Sequence, residues 1–209
     1  MNRKHIVHTS DWHVGHKNIL NFCPRPYKNL DEMHRALIKN YNNNTHESTV
    51  GFFYGDMGIC SSSVLKDVID QLQGTKVLIL GNHDRGMHSM YNAGFDVVLY
   101  GMTLKIQDQL MTFSHCPLRG LYREDTSKMK NSGGNWHGEF SDKHASFVTP
   151  NNGQFHGHGH IHSPNKGFSK RIEGRQIDLG VDANNYRPVQ HSALESFIEK
   201  TLMSEGKND

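Results

Sequence analysis

The order of apolar and polar positions along the chain predicts strands that alternate with helices. The segments 5–10, 50–54 and 76–80 are predicted to be short strands, and each leads into polar residues. The last of them is a nearly continuous apolar run. Between these segments, apolar residues recur at helical spacing over 29–41 and 62–73. Alternating strands and helices favour a parallel sheet within an α/β fold.

The second half of the chain has a different pattern, in which short β-like segments dominate. Residues 96–114 are predicted to form strands, and 168–181 to form a hairpin around Gly174. A last helix is expected to begin near Ser192, where Glu195 would complete a capping box. The pattern therefore indicates an α/β front half and a β-rich back half.

The length of 209 residues is typical of one domain with some elaborations. We place this domain at 1–203 and expect a frayed tail at 204–209. The segment 119–153 is polar, carries glycines and lacks apolar periodicity. A stretch of that length without secondary structure is usually functional or disordered, so we predict a lid or an inserted loop there.

Composition excludes some classes of protein and draws attention to metal chemistry. The sequence has no stretch of about 18 apolar residues, so we expect no membrane-spanning helix. The three cysteines form no CxxC pair, which favours a reducing, cytoplasmic location. The net charge of +2 does not by itself indicate nucleic-acid binding. The unusual feature is the presence of 16 histidines, because histidine is the commonest metal ligand.

A further β-like segment is predicted near Gln154-Phe155. Polar side chains that can hold a metal ion follow this segment and four of the other predicted strands. They are Asp11 and His13, Asp56, Asn82, His115, and His160 with His162. Ligands of open α/β sheets bind at the carboxyl ends of the strands, so these side chains are expected at one rim. Their imidazole, carboxylate and amide donors suit Mn, Fe, Ni or Zn and disfavour a thiolate zinc cluster. The set is too large for one tetrahedral ion and fits two ions roughly 3.5–4 Å apart that share a carboxylate.

These residues, in their order, resemble the motifs of the calcineurin-like metallophosphoesterase superfamily. The matching blocks are Asp11-x-His13, Gly55-Asp56, Gly81-Asn82-His83-Asp84, His115 and Gly159-His160-x-His162. Segments 10–19 and 181–189 further resemble a small bacterial and phage branch of that superfamily. The resemblance implies a four-layer α/β/β/α fold, in which two mixed sheets pack as a sandwich flanked by helices.

The resemblance also implies a role for each side chain. Asp11, His13 and His162 would bind one divalent ion, Asn82, His115 and His160 would bind the other, and Asp56 would bridge the two. A hydroxide produced from water by the two ions would attack the phosphate. His83 would protonate the leaving oxygen, and Asp84 would hydrogen-bond His83 and set its tautomer.

The register of the last motif is ambiguous in the sequence. The run from His156 to His162 contains the Gly-His-x-His pattern twice, once from Gly157 and once from Gly159. The second copy has a bulky residue between its histidines, as the family usually does, so we predict His160 and His162 as the ligands. His158 would then lie behind the ligands or in the core.

Three further side chains are candidates for substrate contact. His16 could donate to the phosphate or simply cap the turn that follows it. Arg187 could pair with a phosphate or hold its own loop. Trp136 lies among basic residues within 119–153 and could stack on a nucleobase, although this segment could equally be a surface loop with ordinary charges.

Together these observations predict a dinuclear-metal-dependent phosphoesterase, with a small phosphodiester or a nucleotide favoured as its substrate. The alternatives are a phosphomonoesterase or protein phosphatase, a DNA nuclease, and a histidine-rich module that binds metal without catalysis. A nuclease would show a steep salt dependence of binding, and a non-catalytic module would not respond to His83→Ala. We expect no membrane partner.

Overall fold

The structure, a computed structural model, describes residues 5–118, 147, 149–163 and 174–207. Its strands are β1 (Ile6–Thr9), β2 (Val50–Phe53), β3 (Thr75–Ile79), β4 (Val97–Leu99), β5 (Met102–Ile106), β6 (Gln109–Phe113), β7 (Phe155–His158), β8 (Gln176–Asp178) and β9 (Val189–Gln190). Its helices are α1 (Ile19–Phe22), α2 (Leu30–Asn42), α3 (Ser62–Ile69), α4 (Met87–Asn92) and α5 (His191–Glu205).

The first sheet has the strand order β4-β3-β2-β1-β9. Strands β1 to β4 are parallel, and β9 pairs antiparallel with β1. Helices α2 and α3 are the crossovers between the first three strands, which is the connection that parallel strands require. The parallel α/β front half predicted from the sequence is therefore confirmed.

The second sheet has the order β5-β6-β7-β8. Strands β5 and β6 form an antiparallel hairpin, whereas β7 and β8 continue the sheet in parallel with β6. Both sheets are thus mixed and flanked by helices, as the predicted sandwich fold requires. Part of the predicted 168–181 hairpin lies outside the described residues, and β8 pairs in parallel with β7.

Two apolar clusters hold the sheets and helices together. Two consecutive residues of β2 belong to different clusters. Phe53 packs in the cluster that α2 and α3 cover, and Phe52 packs against the other cluster. That second cluster joins the sheets through the stacked rings of Tyr54 and Phe113, whose centroids are 5.1 Å apart. Because successive strand side chains point to opposite faces, one short strand supplies both layers of the core.

The helix ends agree in part with the sequence predictions. The Asn29 side chain caps α2 by accepting the Glu32 N–H at 2.9 Å. Helix α5 begins at His191 without a side-chain cap, so the capping box predicted from Ser192 is wrong. The helix continues to Glu205, two residues into the predicted tail, and Arg175 forms a two-pronged ion pair with Glu205.

Most of the predicted insert at 119–153, including Trp136, lies outside the described residues. Among the helices that the structure describes, none is long and apolar enough to cross a membrane.

Candidate metal centre

The predicted donors lie on turns that follow strands of both sheets. Strands β1, β2 and β3 lead into Asp11, Asp56 and Asn82, while β6 and β7 lead into His115 and His160. The Asp11 N–H donates to the Gly55 carbonyl at 3.0 Å, which joins the first two turns. The strand ends of the two sheets therefore meet at one edge of the sandwich, where ligand sites of α/β folds form.

Asp11, His13 and His162 form the first group of donors. One ligand atom from each lies within 4.8 Å of the others. The Nε2 atoms of His13 and His162 are 3.1 Å apart. This separation places two imidazole nitrogens and a carboxylate around one point.

Asn82, His115 and His160 form the second group. The Nε2 atom of His115 lies 3.0 Å from Asn82 Oδ1 and 3.2 Å from His160 Nδ1. His115 is oriented by its other nitrogen, Nδ1, which lies 2.7 Å from the Tyr54 carbonyl oxygen and donates to it. The Nε2 atom is thereby left as the nitrogen that faces the other donors.

Asp56 lies between the two groups. Its Oδ2 atom is 3.7 Å from His13 Nε2 and 3.3 Å from His115 Nε2. The structure thus brings all seven predicted donors together, in the register that uses His160 and His162. Among the described residues, no group of converging ligand atoms includes His158, the histidine that only the alternative register would use. His158 Nδ1 lies 2.8 Å from the Gly159 carbonyl oxygen.

The backbone is strained at most of these donors. Asp11, His13, Asp56, His160 and His162 have φ angles of 60°, 53°, 53°, 71° and 45°. Left-handed φ is uncommon outside glycine and costs about 1–3 kcal/mol at each residue. Among the described non-glycine residues only three others share it, so the strain is concentrated where the side chains converge.

The glycines of the motifs are required by close approach. A Cβ atom on Gly55 would lie 2.6 Å from His115 Nδ1, and one on Gly159 would overlap the Asp11 carboxylate. Gly81 similarly has no room for a side chain beside Asp56. Each glycine that precedes a donor therefore lets another donor come near.

The electrostatics of the site favour positive charge. Burial alone would raise the pKa of Asp56, but the imidazoles of His115, His13 and His83 hold it well below its usual range. Burial opposes a charge on His115, yet the carboxylates of Asp56 and Asp11 raise its pKa to about 9. A divalent cation would satisfy the same carboxylates, so the buried donor set fits a metal.

The predicted hydrogen bond between Asp84 and the His83 ring is wrong. The Asp84 carboxylate instead accepts backbone N–H groups of Asp56, Met57 and Gly81 at 2.8–3.0 Å. Burial, followed by the nearby Asp56 charge, raises the pKa of Asp84 to about 7. The Asp84 carboxylate therefore connects the turns after β2 and β3, and it has no hydrogen bond to the His83 ring.

His83 and His16 lie on the open side of the donors. His83 is 45% exposed, and its Nε2 atom is 3.9 Å from Asp56 Oδ2. His16 Nδ1 lies 3.2 Å from His13 Nδ1, so its side chain does not cap the following turn. Arg187 is exposed, and no hydrogen bond or ion pair of its side chain occurs among the described residues.

Sequence reasoning missed several residues that surround the donors. Arg25 and Asp182 are buried and paired, and Asp182 also contacts His162. Cys116 has its sulfur near donor nitrogens of His115 and His160. Asp182 lies in the segment 181–189 that carried part of the resemblance, whereas nothing in the sequence distinguished Arg25.

Comparisons with known proteins give relatives without an assigned function. No family model matches the chain. The uncharacterised protein MJ1445 of Methanocaldococcus jannaschii is 26% identical over 212 residues, covering 100% of this chain and 99% of that protein.

Two solved structures are similar to the fold. The protein of unknown function AQ665 from Aquifex aeolicus has a TM-score of 0.66 at 20% identity, covering 92% of this chain and 98% of that one. Yfce, a phosphoesterase from E. coli, has a TM-score of 0.41 at 12% identity, covering 86% and 79%. The Aquifex protein shares the fold, and the superfamily resemblance continues to rest on the motif residues.

Proposed function

We propose that the chain is a metal-dependent phosphoesterase that holds two divalent cations. The observation that carries this proposal is the convergence of seven donors from five strand ends, with Asp56 Oδ2 within 3.7 Å of both His13 Nε2 and His115 Nε2. A shared carboxylate between two sets of imidazole and oxygen donors is the arrangement that two neighbouring ions need.

The bound ions would lower the pKa of a water molecule and neutralise charge on the phosphate. The chain itself supplies orientation and a proton donor. Asp56 fixes the spacing of the two groups, and its position is held by Asp84, which accepts the Asp56 N–H at 3.0 Å. His83 stands on the exposed side, where its Nε2 can donate a proton to the leaving oxygen of the ester.

The mouth of the site supports a substrate with a flat ring. Phe22 at the end of α1 is 66% exposed, and its ring centroid lies 6.0 Å from that of His16. His16 in turn lies 5.2 Å from His13 and 6.2 Å from His83, so a row of rings leads outward from the donors. Exposed aromatic rings stack on bases, which favours a nucleotide or an aryl phosphodiester.

Hydrolysis of bis-p-nitrophenyl phosphate and p-nitrophenyl phosphate by Mn²⁺-loaded protein tests the proposal. We expect turnover of the diester to exceed that of the monoester and to disappear after the metal is removed with EDTA. Faster turnover of the monoester would mean that the protein is a phosphomonoesterase and not a phosphodiesterase. A folded protein that binds metal and hydrolyses neither ester would contradict the proposal.

A further inference from the structure

A buried arginine lies directly behind the first group of donors. The side chain of Arg25 is fully buried, and its Nε and Nη2 atoms donate to the two carboxylate oxygens of Asp182 at 2.8 and 2.7 Å. Nη2 also donates to the Asp11 carbonyl at 2.7 Å, and Nη1 to the Trp12 carbonyl at 3.1 Å. A buried charge is costly unless it is paired and hydrogen-bonded in this way.

The same carboxylate orients a donor histidine. His162 Nδ1 lies 2.7 Å from Asp182 Oδ2, and the His162 Nε2 atom then faces His13 Nε2 at 3.1 Å. A carboxylate on one ring nitrogen fixes the tautomer and the ring plane, so that the other nitrogen is presented to a metal. Asp182 is therefore shared between the guanidinium and the imidazole.

The Arg25 guanidinium also argues against a separate cation at Asp182. Donor atoms of Cys23, His162 and Asp182 lie within 4.8 Å of one another, as they would around a separate cation. Both Asp182 oxygens, however, already accept from Arg25, whose positive charge opposes a cation at that point. The carboxylate thus binds Arg25 and His162 rather than a separate cation.

We propose that Arg25 and Asp182 are positioning residues for the ion held by Asp11, His13 and His162. This inference rests on the proposed metal centre. The guanidinium holds the backbone of the turn after β1 directly and holds His162 through Asp182, so one side chain connects the two segments that supply all three donors. Among the described residues, neither Arg25 nor Asp182 has a hydrogen bond to Asn82, His115 or His160, so the effect is selective for one of the two ions.

Calorimetric titration with Mn²⁺ and the visible spectrum of Co²⁺-loaded protein test this selectivity. For Arg25→Met, we expect the affinity at one position to fall by about 10- to 100-fold, with its Co²⁺ band altered, while the other position keeps its affinity. Arg175→Met is the matched control, because Arg175 also forms a two-pronged ion pair, but with Glu205 of α5. This variant should leave the affinity of both metal positions unchanged. Asn82→Ala should affect the opposite position.

Unchanged affinity at both positions in Arg25→Met, or an equal loss at both, would overturn the inference. If Arg25→Met does not fold, Arg25→Lys and Asp182→Asn take its place, since each breaks the two-pronged pair while preserving size or charge. The same selective loss is expected of both. The two ideas are distinguished by the wild-type protein. Wild type that binds two ions leaves the proposed function standing, so that the variants test this inference alone, whereas wild type that binds one ion or none contradicts the proposed function itself.

Discussion

At the residue scale, His83 is the candidate proton donor. Its side chain is exposed, whereas the side chains of His13 and Asp56 beside it are buried. The His83 Nε2 atom is 3.9 Å from Asp56 Oδ2, and the His83 ring centroid is 5.6 Å from that of His13. This position lets the imidazole reach a bound ester without being one of the convergent donors. A general acid of this kind contributes to turnover more than to the structure of the site.

His83→Ala is therefore expected to keep its metal content and to lose turnover by about 10²–10⁴-fold. Elemental analysis and hydrolysis of bis-p-nitrophenyl phosphate on the same preparation measure the two effects separately. A variant with full activity would remove the general-acid role, and a variant that loses its metal would make His83 a ligand.

Phe22→Ala tests whether the substrate carries a base. Base stacking on an aromatic side chain contributes about 1–3 kcal/mol, so we expect inhibition by adenosine monophosphate to weaken by roughly 5- to 100-fold. Inhibition by inorganic phosphate should not change, because phosphate does not reach the ring. Leu110→Ala is the control, since Leu110 is also an exposed apolar residue but lies at the start of β6. Equal weakening of both inhibitors would contradict the stacking role.

The sequence predicted the seven side chains that converge at the candidate site, but not the residues that hold them in place. Histidine, aspartate and asparagine residues that directly follow a predicted strand form a local pattern, and such a pattern can be recognised in the sequence alone. Arg25 contacts Asp182 across 157 residues, and such a contact leaves no local pattern. Asp84 was assigned to its sequence neighbour His83, whereas its carboxylate is saturated by backbone amides of two turns.

At the element scale, strand β1 contacts the second sheet through a buried histidine, since the His8 ring stacks on Phe113 of β6 with centroids 5.9 Å apart. His8 Nδ1 lies 2.6 Å from the Tyr54 hydroxyl, and its Nε2 lies 3.0 Å from His191 Nδ1 at the start of α5. Burial, followed by the charge of His191, lowers the pKa of His8 well below its usual value. His8 is therefore neutral in the folded protein.

This shift predicts a loss of stability in acid. A histidine whose folded pKa is depressed binds more protons after unfolding, so the free energy of unfolding falls as pH drops below about 6.5, by at most about 1.4 kcal/mol per pH unit for one group. Urea unfolding of metal-free protein between pH 5 and 8 should show this slope, and His8→Phe should reduce it. An identical slope in both proteins would contradict the burial of a neutral His8.

The alternation of apolar runs predicted the order of the front-half elements, because strands buried in a parallel sheet are nearly continuous apolar segments. Boundaries were less predictable. Helix α5 begins one residue before Ser192, because β9 ends at Gln190 where its pairing with β1 stops. The parallel pairing of β6, β7 and β8 also depends on contacts that are distant in sequence, which local periodicity does not encode.

At the scale of the whole molecule, the sandwich brings together five chain segments that are far apart in sequence. The two sheets meet along their apolar faces and leave their strand ends at one edge, where Asp56 lies between the two groups of donors. Core packing thus provides the stability that offsets strained backbone at that edge. The proposed chemistry depends on two cations that occupy this edge together.

Metal stoichiometry tests this claim most directly. Purified protein saturated with Mn²⁺ at neutral pH, freed of loosely bound ions and analysed for metal, should hold two ions per chain. Asp56→Asn should lower the affinity for both, because Asp56 Oδ2 faces both groups. Folded wild-type protein that holds no more than one ion at saturation would contradict the account.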